Sequence, residues 1–191
     1  AKQVQWILFT DLDASLLDES YSYASAMESL EALQTCDIPV VWNSSKTLDE
    51  MIEMANNWPL KHKPILVGEN GATLAFPCDT ESVAGATESV WGYFLRADAV
   101  KGEYLCLFDS EVRGLILKTI KLLKKQNGFA FRGFSDLSDE ALRKLTGLSE
   151  KAVQLSKARQ ATEPILWEGS DEDYLSFVQI IKGYGFKAIR G

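Results

Sequence analysis

The chain has 191 residues, 46% hydrophobic and 25% charged, a composition typical of one large globular domain or two small ones. A formal net charge of -7 argues against a nucleic-acid partner held by bulk charge, and no apolar stretch approaches the roughly 18 residues of a membrane span. The first residues contain no signal-peptide segment, and the cysteines form no Cys-x-x-Cys pair, which together predict reduced thiols in a cytoplasmic protein.

The segment Gln5–Asp18 predicts the first strand of a parallel sheet with a charged site at its end. Its apolar run, Trp6–Phe9, is typical of a strand that helices cover on both faces. The carboxylates that follow, Asp11 and Asp13, share a face in extended chain and repel each other, so they need a cation or a shared proton. Mg²⁺, which prefers oxygen ligands, meets that need. The alternative is a solvated turn, because Asp is favoured in turns.

The next segments alternate short apolar runs with helical patterns, which predicts right-handed crossovers and a parallel sheet. Each predicted helix begins with a capping box, a Ser or Thr followed three residues later by Glu. The boxes are Ser25 to Glu28, opening a helix to about Thr35, and Thr47 to Glu50; the predicted strands are Ile38–Trp42, Pro64–Val67 and Thr73–Phe76.

Polar residues follow each of the first three predicted strands. Since the carboxyl ends of parallel strands lie along one edge of the sheet, and ligands bind there, these residues predict a functional site at that edge. The alternatives are that the serines are helix caps and that Asn70-Gly71 is an ordinary turn. The three sets are Asp11 with Asp13, then Ser44, Ser45 and Lys46, then Glu69 with Asn70.

The segment Pro77–Ser89 is small, polar and aperiodic, which predicts a loop and a hinge. After it, strands and helices mix without strict alternation, which predicts an α+β layer. Its predicted strands are Val90–Leu95, Tyr104–Phe108, Phe129–Arg132, Ile165–Trp167 and Phe186–Ile189; its helices begin at Ser110, Asp139, Ser149 and Ser170 and end at Asn127-Gly128, Thr146-Gly147, about Arg159 and Gly183.

Two further polar features are assigned no site. The single histidine, His62, lies in a polar loop between two lysines. The acidic residues Asp171 and Asp173 follow a predicted strand in the manner of a metal motif. Acidic residues in a first helical turn, however, usually complement the helix dipole.

Motifs along nearly the whole chain resemble those of the haloacid dehalogenase superfamily. Asp11-Leu12-Asp13-Ala14-Ser15 resembles its nucleophile motif Asp-x-Asp-x-Thr, and Ser44 resembles the Ser or Thr that ends its second strand. A narrower resemblance is to the mannosyl-3-phosphoglycerate phosphatases. It rests on Ser44-Ser45-Lys46-Thr47, Glu69-Asn70-Gly71-Ala72, Gly133-Phe134-Ser135-Asp136, Thr146-Gly147-Leu148-Ser149, Ala158-Arg159 with Glu163-Pro164, and Arg190-Gly191.

The resemblance implies an α/β fold, a Rossmann-like core with a parallel sheet and an inserted α+β cap. Residues 1–80 are then the N-terminal part of the core and residues 81–191 the cap, with the hinge at about 77–89. It implies a Mg²⁺-dependent phosphatase that hydrolyses mannosyl-3-phosphoglycerate to mannosylglycerate. In that reaction Asp11 is the nucleophile that forms an aspartyl-phosphate, and Asp13 is the acid and base, while one Asp11 oxygen and the Asp13 backbone carbonyl bind Mg²⁺. The implied phosphate- and substrate-binding residues are Leu12, Ser44, Ser45, Lys46, Glu69, Asn70, Arg159, Glu163 and Arg190.

In this interpretation the cap closes over the Asp11 edge and brings Arg159 and Arg190 toward an anionic phosphoglycerate, because the planar fork of Arg can grip a carboxylate in two places. The alternative is that both arginines form ordinary surface ion pairs.

The chain departs from the family pattern in two ways. Ala14 replaces the usual Gly and Ser15 the usual Thr, both small and expected to be tolerated. The family continues beyond Arg190-Gly191 with a phosphate-binding Lys and a Gly-Asp-x-x-Asn-Asp metal motif, so we expect reduced activity of this chain alone. We also expect Trp6–Phe9 to form a bare apolar edge, a site for self-association. Two alternatives stay open: a phosphatase of glucosyl-3-phosphoglycerate or another sugar phosphate, and a non-catalytic binding module.

Overall fold

The computed structural model describes residues 6–13, 15–17, 22–58, 60–78 and 99–190. The chain divides into two compact units, Ala1–Asp109 and Ser110–Gly191. The predicted hinge at 77–89 lies almost wholly outside the described residues, and the predicted strand Val90–Leu95 lies outside them entirely. The predicted domain boundary near residue 80 therefore stays a prediction.

The first unit contains a six-stranded sheet of order β1-β2-β3-β4-β6-β5. The first three strands are parallel, as predicted, and the others are antiparallel. Thr10 lies opposite Trp42, and Asn43 opposite Val67, so the carboxyl ends of the parallel strands align. The elements are β1 (Leu8–Thr10), α1 (Met27–Thr35), β2 (Val40–Asn43), α2 (Leu48–Ala55), β3 (Ile65–Gly68), β4 (Thr73–Pro77), β5 (Ala99–Lys101) and β6 (Tyr104–Leu107).

The two predicted capping boxes have opposite outcomes. The Thr47 box is confirmed: the Thr47 side chain accepts the Glu50 N–H, and the Glu50 carboxylate accepts the Thr47 N–H. The Ser25 box is wrong, because a 3₁₀ turn, Ala24–Ala26, precedes α1 and no side chain caps that helix. Tyr23 sets where the chain enters this 3₁₀ turn: its ring stacks on Trp42, and its carbonyl accepts the Ala26 N–H.

Strand β1 lies at the edge of the sheet, where β2 is its only neighbour among the described strands. Trp6 and Phe9 are 72% and 66% exposed, so the predicted burial of this run on both faces is wrong for the described residues. The bare apolar edge that the family resemblance implied is present. Such an edge offers unpaired backbone groups for pairing with another strand. Among the described residues, no helix combines the length and apolar character needed to cross a membrane.

The second unit contains a two-stranded antiparallel sheet and four helices among its described elements. The helices predicted to end at Gly128 and Gly147 do so: both glycines have positive φ, 71° and 73°, the left-handed conformation that glycine adopts at helix ends. Phe186–Ile189, predicted as a strand, has no regular structure. The elements are α3 (Val112–Asn127), β7 (Phe131–Gly133), α4 (Asp139–Thr146), α5 (Glu150–Lys157), β8 (Ile165–Trp167) and α6 (Asp171–Gly183).

Two apolar clusters hold the second unit together. The larger is aromatic and packs Phe131 and Trp167 of the sheet against Phe177 of α6, with ring centroids 5.3–5.9 Å apart. The smaller packs Leu142 of α4 against Val153 of α5.

The capping boxes generate a stability prediction. We expect Thr47→Ala to lower the free energy of unfolding by about 1 kcal/mol, because the Glu50 N–H loses its acceptor at the start of α2. Ser25→Ala is the matched control: Ser25 is exposed and caps nothing, so we expect almost no change. Urea unfolding of the three proteins measures both effects, and equal losses in the two variants would contradict this account.

Candidate active site

The end of β1 presents two carboxylates on the solvent side of one buried leucine. Leu12 is fully buried in the core of the first unit, while its neighbours Asp11 and Asp13 are exposed. The Leu12 N–H donates to Asp11 Oδ1 at 2.7 Å, and the Thr10 hydroxyl donates to the Asp11 carbonyl at 2.8 Å. The buried side chain therefore anchors a turn that directs both carboxylates outward.

Lys46 joins the end of β2 to the end of β1. Its Nζ donates to Asp13 Oδ2 at 2.7 Å, and the Lys46 and Asp13 side chains are 19% and 47% exposed. An ion pair this exposed contributes about 0–1 kcal/mol to stability. Its main effect is local, because it fixes a positive charge beside one of two neighbouring carboxylates.

The loops after β2 and β3 are joined through their main chains. The Asn70 N–H donates to the Ser44 carbonyl at 3.0 Å, and the Glu69 N–H donates to the Lys46 carbonyl at 2.8 Å. Ser44 is buried, and its Oγ accepts the Lys46 N–H at 3.2 Å. The structure thus brings together the polar residues that follow β1, β2 and β3, as their positions in the sequence predicted, while the role of each residue stays a prediction.

The loop after β3 has an unusual backbone. Glu69, Asn70 and Gly71 have φ of 51°, 58° and 93°, and positive φ is uncommon for residues other than glycine. Such strain persists where the surroundings over-determine the conformation. Here the main-chain bonds to Ser44 and Lys46 do so, and Glu69 is almost fully buried. The sequence indicated a turn at Asn70-Gly71 but gave no sign that Glu69 shares its conformation.

Gly68 is a residue at this edge that the sequence analysis missed. A Cβ added there would lie 2.7 Å from Thr73 Oγ1 and 3.1 Å from the Lys46 carbonyl oxygen. Its φ of -100° is open to any residue, so the reason for glycine is close approach alone. A glycine in the last position of a strand is the signal that could have identified it.

The candidate residues of the second unit lie in two places. Glu163 is wholly buried in an ion pair with Arg113, and Arg159 Nη1 donates to Thr162 Oγ1 at 3.0 Å in the same loop. Arg190 is exposed, 3.8 Å from Asp171, with its guanidinium over the Tyr174 ring. Asp171 and Asp173 lie in the first turn of α6, where acidic residues complement the helix dipole. Arg113 was not singled out by the sequence analysis, because it lies in a helical pattern.

The donors at the β1 edge suit a magnesium ion. Asp11 and Asp13 are exposed carboxylates, and Mg²⁺ is commonly held by one or two carboxylates together with substrate phosphate and water. Within the described ranges, no group of three or more His, Cys, Asp or Glu side chains could hold a metal. Burial raises the pKa of the Cys106 thiol to about 11, so Cys106 is a poor nucleophile, because the reactive form is the thiolate.

The chain is similar to several solved structures, while no protein-family model matches it. A haloacid dehalogenase-like hydrolase from Bacteroides thetaiotaomicron has a TM-score of 0.49 and 15% identity, covering 99% of this chain and 68% of that one. One from B. subtilis has a TM-score of 0.48 and 14% identity, covering 92% and 66%. A Streptococcus mutans UA159 protein has a TM-score of 0.40 and 21% identity, covering 65% and 37%. The chain spans less than two thirds of the latter two proteins, and no residue's role transfers at this similarity.

The close approach at Gly68 generates a prediction. We expect Gly68→Ala to lower the free energy of unfolding by about 1–3 kcal/mol, because the added methyl overpacks the junction of the two loops. Removing Thr73 Oγ1 should relieve part of this, so Gly68→Ala should cost less in a Thr73→Ala background. Gly114→Ala is the matched control: its Cβ would meet open space in α3, and helix propensity should raise stability. Urea unfolding measures all of these variants, and an unaffected Gly68→Ala protein would contradict the packing argument.

Proposed function

We propose that this chain forms part of a Mg²⁺-dependent phosphatase of the haloacid dehalogenase type, acting on the phosphate monoester of a sugar phosphoglycerate. The observation that carries the proposal is the junction of three strand ends: Lys46 after β2 contacts Asp13 after β1, and the loop after β3 bonds through its main chain to Ser44 and Lys46. The order of these residues along the chain resembles the superfamily's motifs, which supports the same chemistry.

The first step is an attack of an Asp11 carboxylate oxygen on phosphorus. A bond forms between them while the bond from phosphorus to the substrate oxygen breaks, and Asp13 gives that oxygen a proton. In the second step a water oxygen bonds to the phosphorus of the aspartyl-phosphate while Asp13 takes a proton from that water; the bond from phosphorus to the Asp11 oxygen breaks, which restores the Asp11 carboxylate and releases inorganic phosphate. The contact with Lys46 orients the Asp13 side chain at this edge.

Ser44 and the magnesium ion contribute charge stabilisation in this proposal. The Ser44 hydroxyl accepts the Lys46 N–H, and a hydroxyl also donates, so its proton is available for a phosphoryl oxygen. Asp11 and Asp13 are the residues that would hold Mg²⁺. When bound, that ion neutralises charge on the phosphoryl oxygens.

The substrate in this proposal is mannosyl-3-phosphoglycerate. The second unit's motifs, Gly133-Phe134-Ser135-Asp136 and Arg159 with Glu163, support it by their resemblance to phosphatases of that substrate. Glucosyl-3-phosphoglycerate is the nearest alternative substrate. In this proposal the residues of the β1 edge bind only the phosphate group, which all phosphate monoesters share.

Substitution of the nucleophile tests the reaction. We expect Asp11→Asn to lower kcat by about a thousandfold or more, because an amide cannot attack phosphorus. Asp13→Asn should also lower kcat by about a hundredfold or more, since the acid and base are lost. Asp37→Asn is the control, an exposed aspartate of the same unit outside the site. Phosphate release from mannosyl- and glucosyl-3-phosphoglycerate is the measurement, and an Asp11→Asn enzyme as active as wild type would remove Asp11 as the nucleophile.

Metal dependence can be tested without turnover. We expect beryllium fluoride, which mimics a phosphoryl group on a carboxylate, to raise the melting temperature when Mg²⁺ is present and not when it is chelated. Ligands that bind only the folded state stabilise it by mass action. The shift should be absent in Asp11→Asn and kept in Asp37→Asn. A shift that is independent of Mg²⁺ would contradict the metal assignment; a metal-dependent shift without hydrolysis of any substrate would favour a binding module.

A further inference from the structure

One guanidinium in the second unit collects three acceptors from a single loop. Arg113, in the first turn of α3, donates to Glu163 Oε2 at 2.8 Å, to the Arg159 carbonyl at 2.7 Å and to the Lys157 carbonyl at 3.3 Å. The Glu163 side chain is wholly buried and that of Arg113 is 19% exposed. The Arg113–Glu163 ion pair therefore holds the segment from the end of α5 to Glu163 at three points.

Glu163 connects this loop to a second one. Its Oε1 accepts the Ser135 N–H at 2.7 Å, in the 3₁₀ turn that follows β7. The Pro164 carbonyl accepts the Phe134 N–H at 3.0 Å beside it. A Cβ on Gly133 would lie 2.6 Å from Glu163 Oε1, so glycine is needed for the carboxylate to reach this turn. Two of the segments that carry the second unit's family motifs, Gly133–Asp136 and Arg159–Pro164, meet at this carboxylate.

We propose that Arg113 and Glu163 are positioning residues, which fix the loop of residues 158–163 and thereby aim Arg159 at the carboxylate of an anionic substrate. The inference rests on the proposed function for its substrate. Arg159 is oriented at both ends: its carbonyl is held by Arg113, and its guanidinium by the Thr162 hydroxyl. The planar fork of an arginine matches a carboxylate only when its direction is set.

The choice of a charged pair favours positioning over stability alone. Replacing a buried ion pair by well-packed apolar residues is often neutral or stabilising, so burial of Arg113 and Glu163 is weak evidence for a stabilising role. What an apolar pair cannot do is hold main-chain groups in one direction. This pair holds the carbonyls of Lys157 and Arg159 and the N–H of Ser135.

The second unit offers a matched control pair. Arg132 and Glu168 form an Arg–Glu ion pair beside the strands β7 and β8, with side chains 48% and 41% exposed. Their side chains contact each other, and among the described residues neither side chain bonds to the loop of residues 158–163. Glu168→Gln therefore repeats the chemistry of Glu163→Gln without touching that loop.

The test combines kinetics with proteolysis of the full-length protein. For Glu163→Gln we expect KM for mannosyl-3-phosphoglycerate to rise by about tenfold to a hundredfold, because small displacements of a binding group are costly. The expected kcat stays within a few fold, and KM for p-nitrophenyl phosphate, which has no carboxylate, stays unchanged. Trypsin should cleave after Lys157 and Arg159 faster than in wild type. Glu168→Gln should match wild type in all of these measurements.

Further variants keep the test decisive. Arg113→Lys keeps the charge but cannot reach three acceptors, so it should repeat the KM effect if Glu163→Gln does not fold. The double variant Arg113→Lys, Glu163→Gln should raise KM no more than the more severe single change does, since both changes disrupt the same ion pair. An equal rise of KM for both substrates, or a loosened loop with unchanged KM, would overturn the positioning role. If neither wild type nor Glu168→Gln hydrolyses either substrate, the proposed function is wrong. In that case unchanged trypsin cleavage in Glu163→Gln would also overturn the positioning role.

Discussion

Two main-chain hydrogen bonds between the loops after β2 and β3 hold the edge on which the first unit's candidate site depends. They run from Asn70 to Ser44 and from Glu69 to Lys46, and they need the left-handed backbone of Glu69 and Asn70. With the loop after β2 fixed in this way, Lys46 reaches across to Asp13 at the end of β1. The loops after β2 and β3 are thus joined by backbone bonds, which ionic strength affects less than it affects the exposed Lys46–Asp13 ion pair.

In the second unit a buried ion pair, rather than main-chain hydrogen bonds alone, holds two neighbouring segments in place. The loop of residues 158–163 and the 3₁₀ turn after β7 leave main-chain groups that need partners from elsewhere. The Arg113–Glu163 pair supplies donors and acceptors to both loops from inside the unit. A buried polar network of this kind stabilises the fold only when every group in it has a hydrogen-bond partner. Each buried group left without a partner carries an uncompensated desolvation penalty.

Much of this arrangement could be predicted from local patterns. The Thr47 box, the glycine stops at Gly128 and Gly147, and the polar ends of the first three strands each depend on neighbouring residues, and the structure has all of them. The Ser25 box has the same pattern and fails, because the packing of Tyr23 on Trp42 sets where the chain enters α1. A local rule gives way here to a contact between distant residues.

Contacts between residues far apart in sequence account for what was missed. Arg113 and Glu163 are 50 positions apart, and nothing in a helical pattern marks one arginine as a loop anchor. The need for glycine at Gly68 comes from Thr73 and the Lys46 carbonyl, which lie in two other elements. The exposure of Trp6 and Phe9 depends on which strands flank β1, a property of the sheet rather than of the apolar run.

The joined loops have a consequence for local dynamics. Amide protons in a loop usually exchange with solvent quickly, and exchange slows where opening breaks several bonds at once. The Glu69 and Asn70 amides bond to carbonyls of a neighbouring crossover, so exposing them requires that the ends of β2 and β3 separate. We therefore expect the Glu69 and Asn70 amide protons to exchange together with those of the parallel strands, although the two residues lie outside the strands.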